Sequence, residues 1–417
     1  MSRNAVGWRE PLTFRRFRAL WLGGLFSWYG DFLTLPALLI ISYKLGGETA
    51  VGLLFVCTTA PLLALLPIGG RLGDSGDRRR RLVALDLVRA CLAGLTIVAA
   101  EGHVLALVLV AVAASKAASA LYGPGRRRLV AVLLPPYFLA AGSTLLSVVS
   151  ESALVVAPAI GAILLIFLAP TMLIFIDGLT FLISAVLLTR IGGQPTPWTS
   201  SAYIRGPVWK SLQKGFRLLL FERTTRLFVA QATVGAALAS VIQVYFVPLG
   251  HYAFGLRTNQ VGVMYVIVGA ASIVASGVAL RIPQVRRRGV VLIGYIHLAV
   301  AAAVGLMFGA GMVVASLVVF AGSGALQEVW GLNRIQIKTP AEGVGQAMGA
   351  AQWCMCLGRV LGAAAATWGA GHFSRGTFLL VLTALAVVAC LSVSLAGQLV
   401  GRRNPATWPP GGPPLAF

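Results

Sequence analysis

Runs of about 20 mostly apolar residues recur from the start of the chain almost to its end. A helix of that length crosses the hydrocarbon core of a bilayer, and a soluble domain rarely holds several such runs. The 417-residue chain is 58% hydrophobic and only 11% charged, with a mean hydropathy of +0.86. The sequence therefore predicts an all-helical protein that crosses a membrane many times.

The apolar runs predict twelve transmembrane spans. Their expected positions are 19–43, 49–72, 82–101, 103–123, 137–168, 170–189, 226–249, 259–281, 289–310, 312–334, 344–371 and 376–399. The polar interval 190–225 divides them into pseudo-symmetric six-helix bundles at 1–189 and 226–400. Within this interval, Val208 to Leu219 has the pattern of a short amphipathic helix whose basic residues face lipid phosphates. The proline-rich end at 401–417 is expected to be a disordered tail.

The basic residues predict the orientation of the spans. Of the 34 Lys and Arg residues, 28 fall on one predicted side of the membrane and three on the other. The positive-inside rule places the richer side, with both termini, in the cytoplasm of a cell that carries this protein in its inner or plasma membrane. The net charge of +22 is explained by topology and by contact with membrane lipids, so nucleic acid is not an expected partner.

The chain lacks the residue patterns of an enzyme or a metal site. All five cysteines fall in predicted spans without disulfide or metal spacing, and neither a cofactor nor a metal is expected. Four scattered histidines form no catalytic set, and no phosphate-binding glycine loop or repeated pore-lining element is present. Two six-span halves with Gly and Pro in their helices and a few intramembrane charges are typical of an alternating-access carrier.

Ionisable residues inside spans cost about 2.5–3.5 kcal/mol each to insert, so each needs a partner or a function. Asp31 in span 1 has no basic residue within one helical turn, which favours a functional carboxylate. Asp86 and Arg89, one turn apart on span 3, form either an internal ion pair or part of a gate. Lys116 in span 4 and Glu151 in span 5 either neutralise each other or act separately.

Three further spans carry ionisable groups. Glu328 in span 10 either acts by itself or pairs with Arg359 of span 11. His297 in span 9 is expected to be a packing residue rather than a proton carrier.

The charged loop between spans 2 and 3 resembles the signature of a known family. The family pattern is roughly G-x-L-A-D-R-x-G-R-R-x-x-L. The residues in register with it are Gly70, Leu72, Asp74, Arg78, Arg79 and Leu82. The chain thus resembles the major facilitator superfamily of secondary transporters, which implies the fold of that family.

Other motifs are similar to a twelve-span branch that includes macrolide-efflux and enterobactin-exporter-like proteins. They are Asp77 in the charged loop, Ser27-x-x-Gly30-Asp31, Asp86 to Ala90, Pro124-x-Arg126 and Asp177 to Ala185. This resemblance implies a monomeric, proton-coupled exporter of drug-like molecules, secondary metabolites or siderophores. An importer or lipid carrier of the same fold and a transport-inactive receptor stay open, because the second half departs from the pattern.

Residue roles follow in part from the resemblance. It implies that Asp74 and Arg78 hold the cytoplasmic side closed, with Gly70, Arg79, Asp86 and Arg89 beside them. Proton coupling is predicted at Asp31 first, then at Glu151 and Glu328, because each is a carboxylate inside a span. Substrate is expected near the midplane between the halves. The candidate binding residues are Trp28, Asp31, Phe32, Glu151, Gln243, Tyr245, Glu328, Gln352 and Arg359.

Overall fold

The computed structural model is all-helical where it describes the chain, at residues 10–72, 78–191, 208–221, 223–257, 263–281, 310–340 and 343–372. These ranges contain the α-helices α1 Arg15–Leu33, α2 Leu35–Leu72, α3 Arg78–Glu101, α4 Leu105–Leu133, α5 Leu139–Leu164, α6 Pro170–Thr189, α7 Val208–Phe221, α8 Arg223–Val244, α9 Phe246–Phe254, α10 Val263–Arg281, α11 Ala310–Lys338 and α12 Val344–His372. The predicted spans at 289–310 (apart from Ala310) and 376–399 lie outside the described residues, as do His297 and the tail at 401–417.

Glycine and proline decide where the first helices break. α1 ends at Leu33 and α2 begins at Leu35, just before Pro36, whose nitrogen cannot donate a helical hydrogen bond. α2 contains a turn at Gly46 and Gly47, and Gly47 has a φ of +63°, a conformation that favours glycine. Span 1 therefore consists of α1 and the beginning of α2, and span 2 is the remainder of α2.

Six stretches of the described chain are long and apolar enough to cross a membrane. They are Arg15–Leu65, Arg79–Glu101, Leu105–Tyr122, Ala141–Leu164, Pro170–Thr189 and Thr225–Val244. The first stretch holds two spans, one on each side of the Gly46–Gly47 turn. Shorter apolar segments, Val263–Ala275 and Leu317–Gln327, lie in α10 and α11.

Each half of the molecule has its own helix packing. In the first half α1 packs on α5 and α6, α2 packs on α4, and α3 packs on both α4 and α6. In the second half α8 packs on α12, and α10 packs on α11. The two halves meet where α2 packs on α12 and α5 on α10.

An apolar cluster joins the halves at the end of the bundle that holds the Gly46–Gly47 turn. It includes Val51 and Phe55 of α2, Val241 of α8 and Ala363 of α12. Gly52 lies so close to α12 that a Cβ there would be 2.0 Å from the Thr367 hydroxyl. By the predicted topology this is the external face, which the cluster closes.

The amphipathic helix α7 packs on the protein through its apolar side. Leu212, Phe216 and Leu219 lie in one cluster with residues of α8, α11 and α12. A Cβ on Gly215 would lie 2.2 Å from the Gln346 carbonyl oxygen, so α7 and α12 are in close contact. The basic residues Lys210, Lys214 and Arg217 are exposed.

The fourth predicted span, 103–123, agrees with the apolar stretch Leu105–Tyr122, but its helix is longer than the span. Gly123, Pro124 and Gly125 predict a loop, but α4 continues through them to Leu133. Arg126, predicted in that loop, instead lies inside the helix with only 1% of its side chain exposed. Local propensity is overridden here because packing against neighbouring helices stabilises the longer α4.

Candidate functional site

Six ionisable side chains of the first half form what we call the buried ionic network. They are Asp31 of α1, Asp86 and Arg89 of α3, Lys116 and Arg126 of α4, and Asp177 of α6. Lys116 is 18% exposed, and the other five are at most 7% exposed. With every group ionised, the three acids and three bases give no net charge.

Asp31 binds two cationic side chains. Arg89 donates through Nη2 to Asp31 Oδ2, and Lys116 donates through Nζ to Asp31 Oδ1 at 3.1 Å. These cations come from α3 and α4, so one carboxylate links three helices. Removing one partner of such a buried pair is strongly destabilising, because the remaining charge is left without compensation.

Arg89 extends the network from Asp31 to other groups. Its Nη1 donates to Ser27 Oγ at 3.0 Å and to Asp86 Oδ1 at 3.5 Å, so the i,i+3 pair with Asp86 is present. Its guanidinium carbon lies 3.8 Å from the centre of the Phe181 ring. Arg89 lies in the apolar stretch Arg79–Glu101, which is long enough to cross a membrane.

Tyr122 connects Asp86 to Arg126. Its hydroxyl donates to Asp86 Oδ2 at 2.9 Å and accepts from Arg126 Nη2 at 3.4 Å. The Arg126 guanidinium also lies over the rings of Trp28, at 4.5 Å, and Tyr122, at 4.9 Å. These cation–π contacts help to hold a buried guanidinium away from water.

Asp177 is buried against α1, and its side chain contacts a hydroxyl group rather than a cation. Thr180 Oγ1 lies 3.4 Å from Asp177 Oδ1 and donates to the Asp177 main-chain oxygen at 2.7 Å. Among the described residues, Asp177 has no Lys or Arg nitrogen within ion-pair distance. A Cβ on Gly30 would lie 2.3 Å from Asp177 Oδ1, so only glycine allows this contact.

The structure places several predicted substrate residues near the network. Trp28 and Phe32 are half-buried on α1, and Lys116 Nζ lies 6.0 Å from the centre of the Phe32 ring. Glu151 is exposed on α5. Lys116 bonds to Asp31, so the alternative in which it pairs with Glu151 is not the arrangement found.

The hydrogen bonds described for the network do not extend to the predicted second-half residues whose side chains the structure describes. Every hydrogen bond and ion pair described for the network is made within the first half. Tyr245 is buried at the junction of α8 and α9, with Gln243 two residues before it. Gln352 and Arg359, seven residues apart on α12, are half-buried on one helix face.

Part of the predicted gate lies outside the described residues. Asp74 is in the undescribed segment 73–77. Gly70 of the predicted gate lies in α2. Arg78 of the gate and the predicted substrate residue Glu328 lie in α3 and α11, but their side chains are outside the described part of the structure. Arg79 is half-buried near the start of α3.

Sequence reasoning missed the parts played by Tyr122, Arg126 and Asp177. Asp177 could have been predicted as Asp31 was, because it is also an acid inside an apolar span, where an ionisable group is costly. Arg126 stands before two further arginines, which is a typical surface pattern, and nothing in the chain marks it as buried. Within the described ranges, no group of three or more His, Cys, Asp or Glu side chains is placed to hold a metal ion.

A sequence model of the Major Facilitator Superfamily matches residues 20–363. The chain belongs to the major facilitator superfamily. It is accordingly a multi-pass membrane protein and a secondary transporter of small molecules, not an enzyme. A search of curated proteins gives no match.

Solved structures of major facilitator transporters share this fold. A mutant of the nucleoside transporter NupG is 12% identical, with a TM-score of 0.67, over 91% of this chain and 99% of that one. A bacterial homolog of the human lysosomal transporter Spinster, inward-facing and unoccupied, is 13% identical, with a TM-score of 0.69, over 95% and 99%. A bacterial homologue of the iron transporter ferroportin, also inward-facing, is 15% identical, with a TM-score of 0.64, over 91% and 98%.

Proposed function

We propose that this transporter is a proton-coupled exporter of drug-like molecules, secondary metabolites or siderophores. The observation that carries the proposal is the buried ionic network around Asp31. Ionisable groups inside a membrane are costly, and in transporters they mark ion and proton pathways. A network that joins α1, α3, α4 and α6 can turn a change of one proton into a movement of helices.

The surroundings of Asp31 fit a binding site for an organic molecule. Trp28 and Phe32, half-buried on the same helix as Asp31, offer aromatic surface for an apolar body. The helix is interrupted at Thr34, three residues beyond Asp31, where Pro36 removes a backbone hydrogen-bond donor. Gln243 lies on the corresponding seventh span, five residues before Pro248, just as Asp31 lies five residues before Pro36.

The remaining assignments complete the proposed transport cycle. Substrate would bind between the halves, in contact with Glu151, Tyr245, Glu328, Gln352 and Arg359 as well as the residues above. Asp74 and Arg78 would close the cytoplasmic side, with Gly70, Arg79, Asp86 and Arg89 near them. The export direction is supported by the resemblance of the first half to macrolide-efflux and enterobactin-exporter-like proteins.

The test is substrate-dependent proton movement in proteoliposomes. The panel includes amphipathic cations, macrolides, catechol siderophores and lysolipids, added outside vesicles that trap a pH-sensitive dye. We expect at least one compound to drive protons out of the lumen, with no signal in protein-free vesicles. Uptake of a compound without proton movement, or with protons moving in the same direction, would contradict proton antiport and favour a lipid carrier or an importer.

A further inference from the structure

We propose that Asp177, rather than Asp31, carries the coupling proton. The inference rests on the proposed proton coupling and names the carboxyl group that holds the proton. It starts from the unequal surroundings of the two carboxylates. Asp31 accepts from Arg89 and Lys116, whereas Asp177 has no ion-pair partner among the described residues.

The two cations of Asp31 hold it in its ionised form. Each oxygen of Asp31 already accepts from a charged donor, Oδ1 from Lys116 and Oδ2 from Arg89. A proton placed on Asp31 would leave two cations with reduced compensation in a medium of low dielectric constant. Asp31 is therefore the group that orients the cations and transmits a change, not the group that exchanges protons.

Thr180 is placed to accept a hydrogen bond from a protonated Asp177. A threonine hydroxyl has one hydrogen and two acceptor lone pairs. Thr180 donates that hydrogen to the Asp177 main-chain oxygen at 2.7 Å, so the lone pairs remain for the Asp177 carboxyl at 3.4 Å. An ionised Asp177 receives the Thr180 hydrogen only through the long 3.4 Å contact, because the same hydrogen also bonds to the main-chain oxygen at 2.7 Å, whereas a protonated Asp177 can donate its own hydrogen to a Thr180 lone pair. Burial without a charged partner adds to this preference, because an isolated ionised carboxylate is costly to bury.

The charged groups that face Asp177 explain how its proton would act at a distance. They are Asp31 on α1, Arg89 on α3 and Lys116 on α4. With Asp177 protonated the six-residue network carries one positive charge, and with Asp177 ionised it carries none. When Asp177 loses its proton, its carboxylate competes with Asp31 for Arg89 and Lys116. This competition would weaken the ion pairs of Asp31. Gly30 allows Asp177 to lie against α1, so this change occurs beside the break at Thr34.

The net charge of the buried ionic network also indicates what kind of substrate can exchange with the proton. A network that is neutral without its proton can accept one positive charge, from a proton or from a cationic substrate, but not from both. Mutual exclusion of this kind is what an antiporter requires. The half-buried rings of Trp28 and Phe32, which already face Arg126 and Lys116, would supply apolar contact to the organic body of such a cation.

The direct test is an infrared difference titration of the purified protein in lipid, with no substrate present. We expect the wild type to show a protonated-carboxyl band that disappears as pH rises and that is missing in Asp177→Asn. Thr180→Val should keep the band but shift both its frequency and the pH at which it disappears, because the acceptor is removed. A band that persists unchanged in Asp177→Asn, or is unaffected by Thr180→Val, would overturn the inference.

Stability and transport measurements separate this inference from the proposed function. Asp177→Asn replaces a protonated acid by a neutral amide of the same shape, so its melting temperature should match that of the wild type. With a substrate found in the panel, the variant should still exchange substrate across the membrane but lose accumulation driven by a pH gradient. If the wild type itself showed no proton movement, the proposed function would fail while the infrared result still decided where the proton lies. Retained gradient-driven accumulation in Asp177→Asn would refute the role of Asp177.

Discussion

Asp31 forms ion pairs with two cations from different helices, Arg89 of α3 and Lys116 of α4, so this one residue connects three helices. The sequence pointed to Asp31 because an acid in an apolar span is costly. Its partners were not predictable, because Arg89 and Lys116 reach it only through the packing of α3 and α4 around α1. Asp31→Asn is therefore expected to affect folding as well as transport.

The pairing of Asp31 predicts a loss of stability when its charge is removed. Asp31→Asn leaves Arg89 and Lys116 without their carboxylate, and breaking a buried pair in this way costs about 3–5 kcal/mol. We expect a lower melting temperature in detergent, measured by intrinsic fluorescence. The matched double variant Asp31→Asn/Arg89→Gln should recover part of the loss, since the two residues interact directly. Strictly additive losses in this double-mutant cycle would show that the Asp31–Arg89 pair does not stabilise the fold.

Helix boundaries could be predicted from the sequence where a local residue such as proline sets them. Pro170 begins α6, and the sixth span was predicted at the residues where the structure has it, Pro170–Thr189. The fourth span was predicted at 103–123, close to the apolar stretch Leu105–Tyr122, but its helix continues ten residues further, to Leu133, because tertiary contacts keep Gly123 to Gly125 helical where a loop is favoured locally. The helix α7 was predicted by its amphipathic pattern, but its contact with α12 was not, since a pattern does not specify which surface covers an apolar face.

The close approach of α7 to α12 predicts a strong effect of side-chain volume at Gly215. Valine there would collide with the Gln346 carbonyl, which lies 2.2 Å from the position of a Cβ. We expect Gly215→Val to lose about 1–3 kcal/mol of stability, as overpacked sites do, and to lower the melting temperature. Gly349→Val on α12 is the matched control, because no atom lies within 4 Å of its Cβ position. Equal effects of the two substitutions would argue against a packed α7.

At the scale of the whole molecule, the twelve-span pattern and the charged loop predicted the superfamily to which the chain belongs. The way the halves meet was not predictable, because it depends on contacts between residues hundreds of positions apart. Trp353 of α12 donates to the Leu63 carbonyl of α2 at 3.2 Å, and Gly52 contacts Thr367 nearer the Gly46–Gly47 turn. These contacts hold the halves together along α2 and α12.

Opening at the predicted external face should require α2 and α12 to separate. A Cβ at Gly52 would lie 3.0 Å from the Thr367 Cβ, slightly less than the Cβ–Cβ distance of about 3.5–4.5 Å in disulfides, so a small separation of the helices allows cysteines at both positions to cross-link. In a background without native cysteines, we expect oxidation of Gly52→Cys/Thr367→Cys to abolish transport and reduction to restore it. Each single cysteine variant serves as the control. Unchanged turnover of the cross-linked protein would show that these helices need not part during transport.

Proton antiport is the central claim at this scale, and an imposed pH gradient tests it most directly. Proteoliposomes with an acidic lumen and a neutral exterior are compared with vesicles of the reverse gradient, using a labelled compound identified from the panel. We predict accumulation of the compound only when the lumen is acidic, and its loss when an uncoupler collapses the gradient. Accumulation with the reverse gradient, or equal uptake under both, would contradict the account.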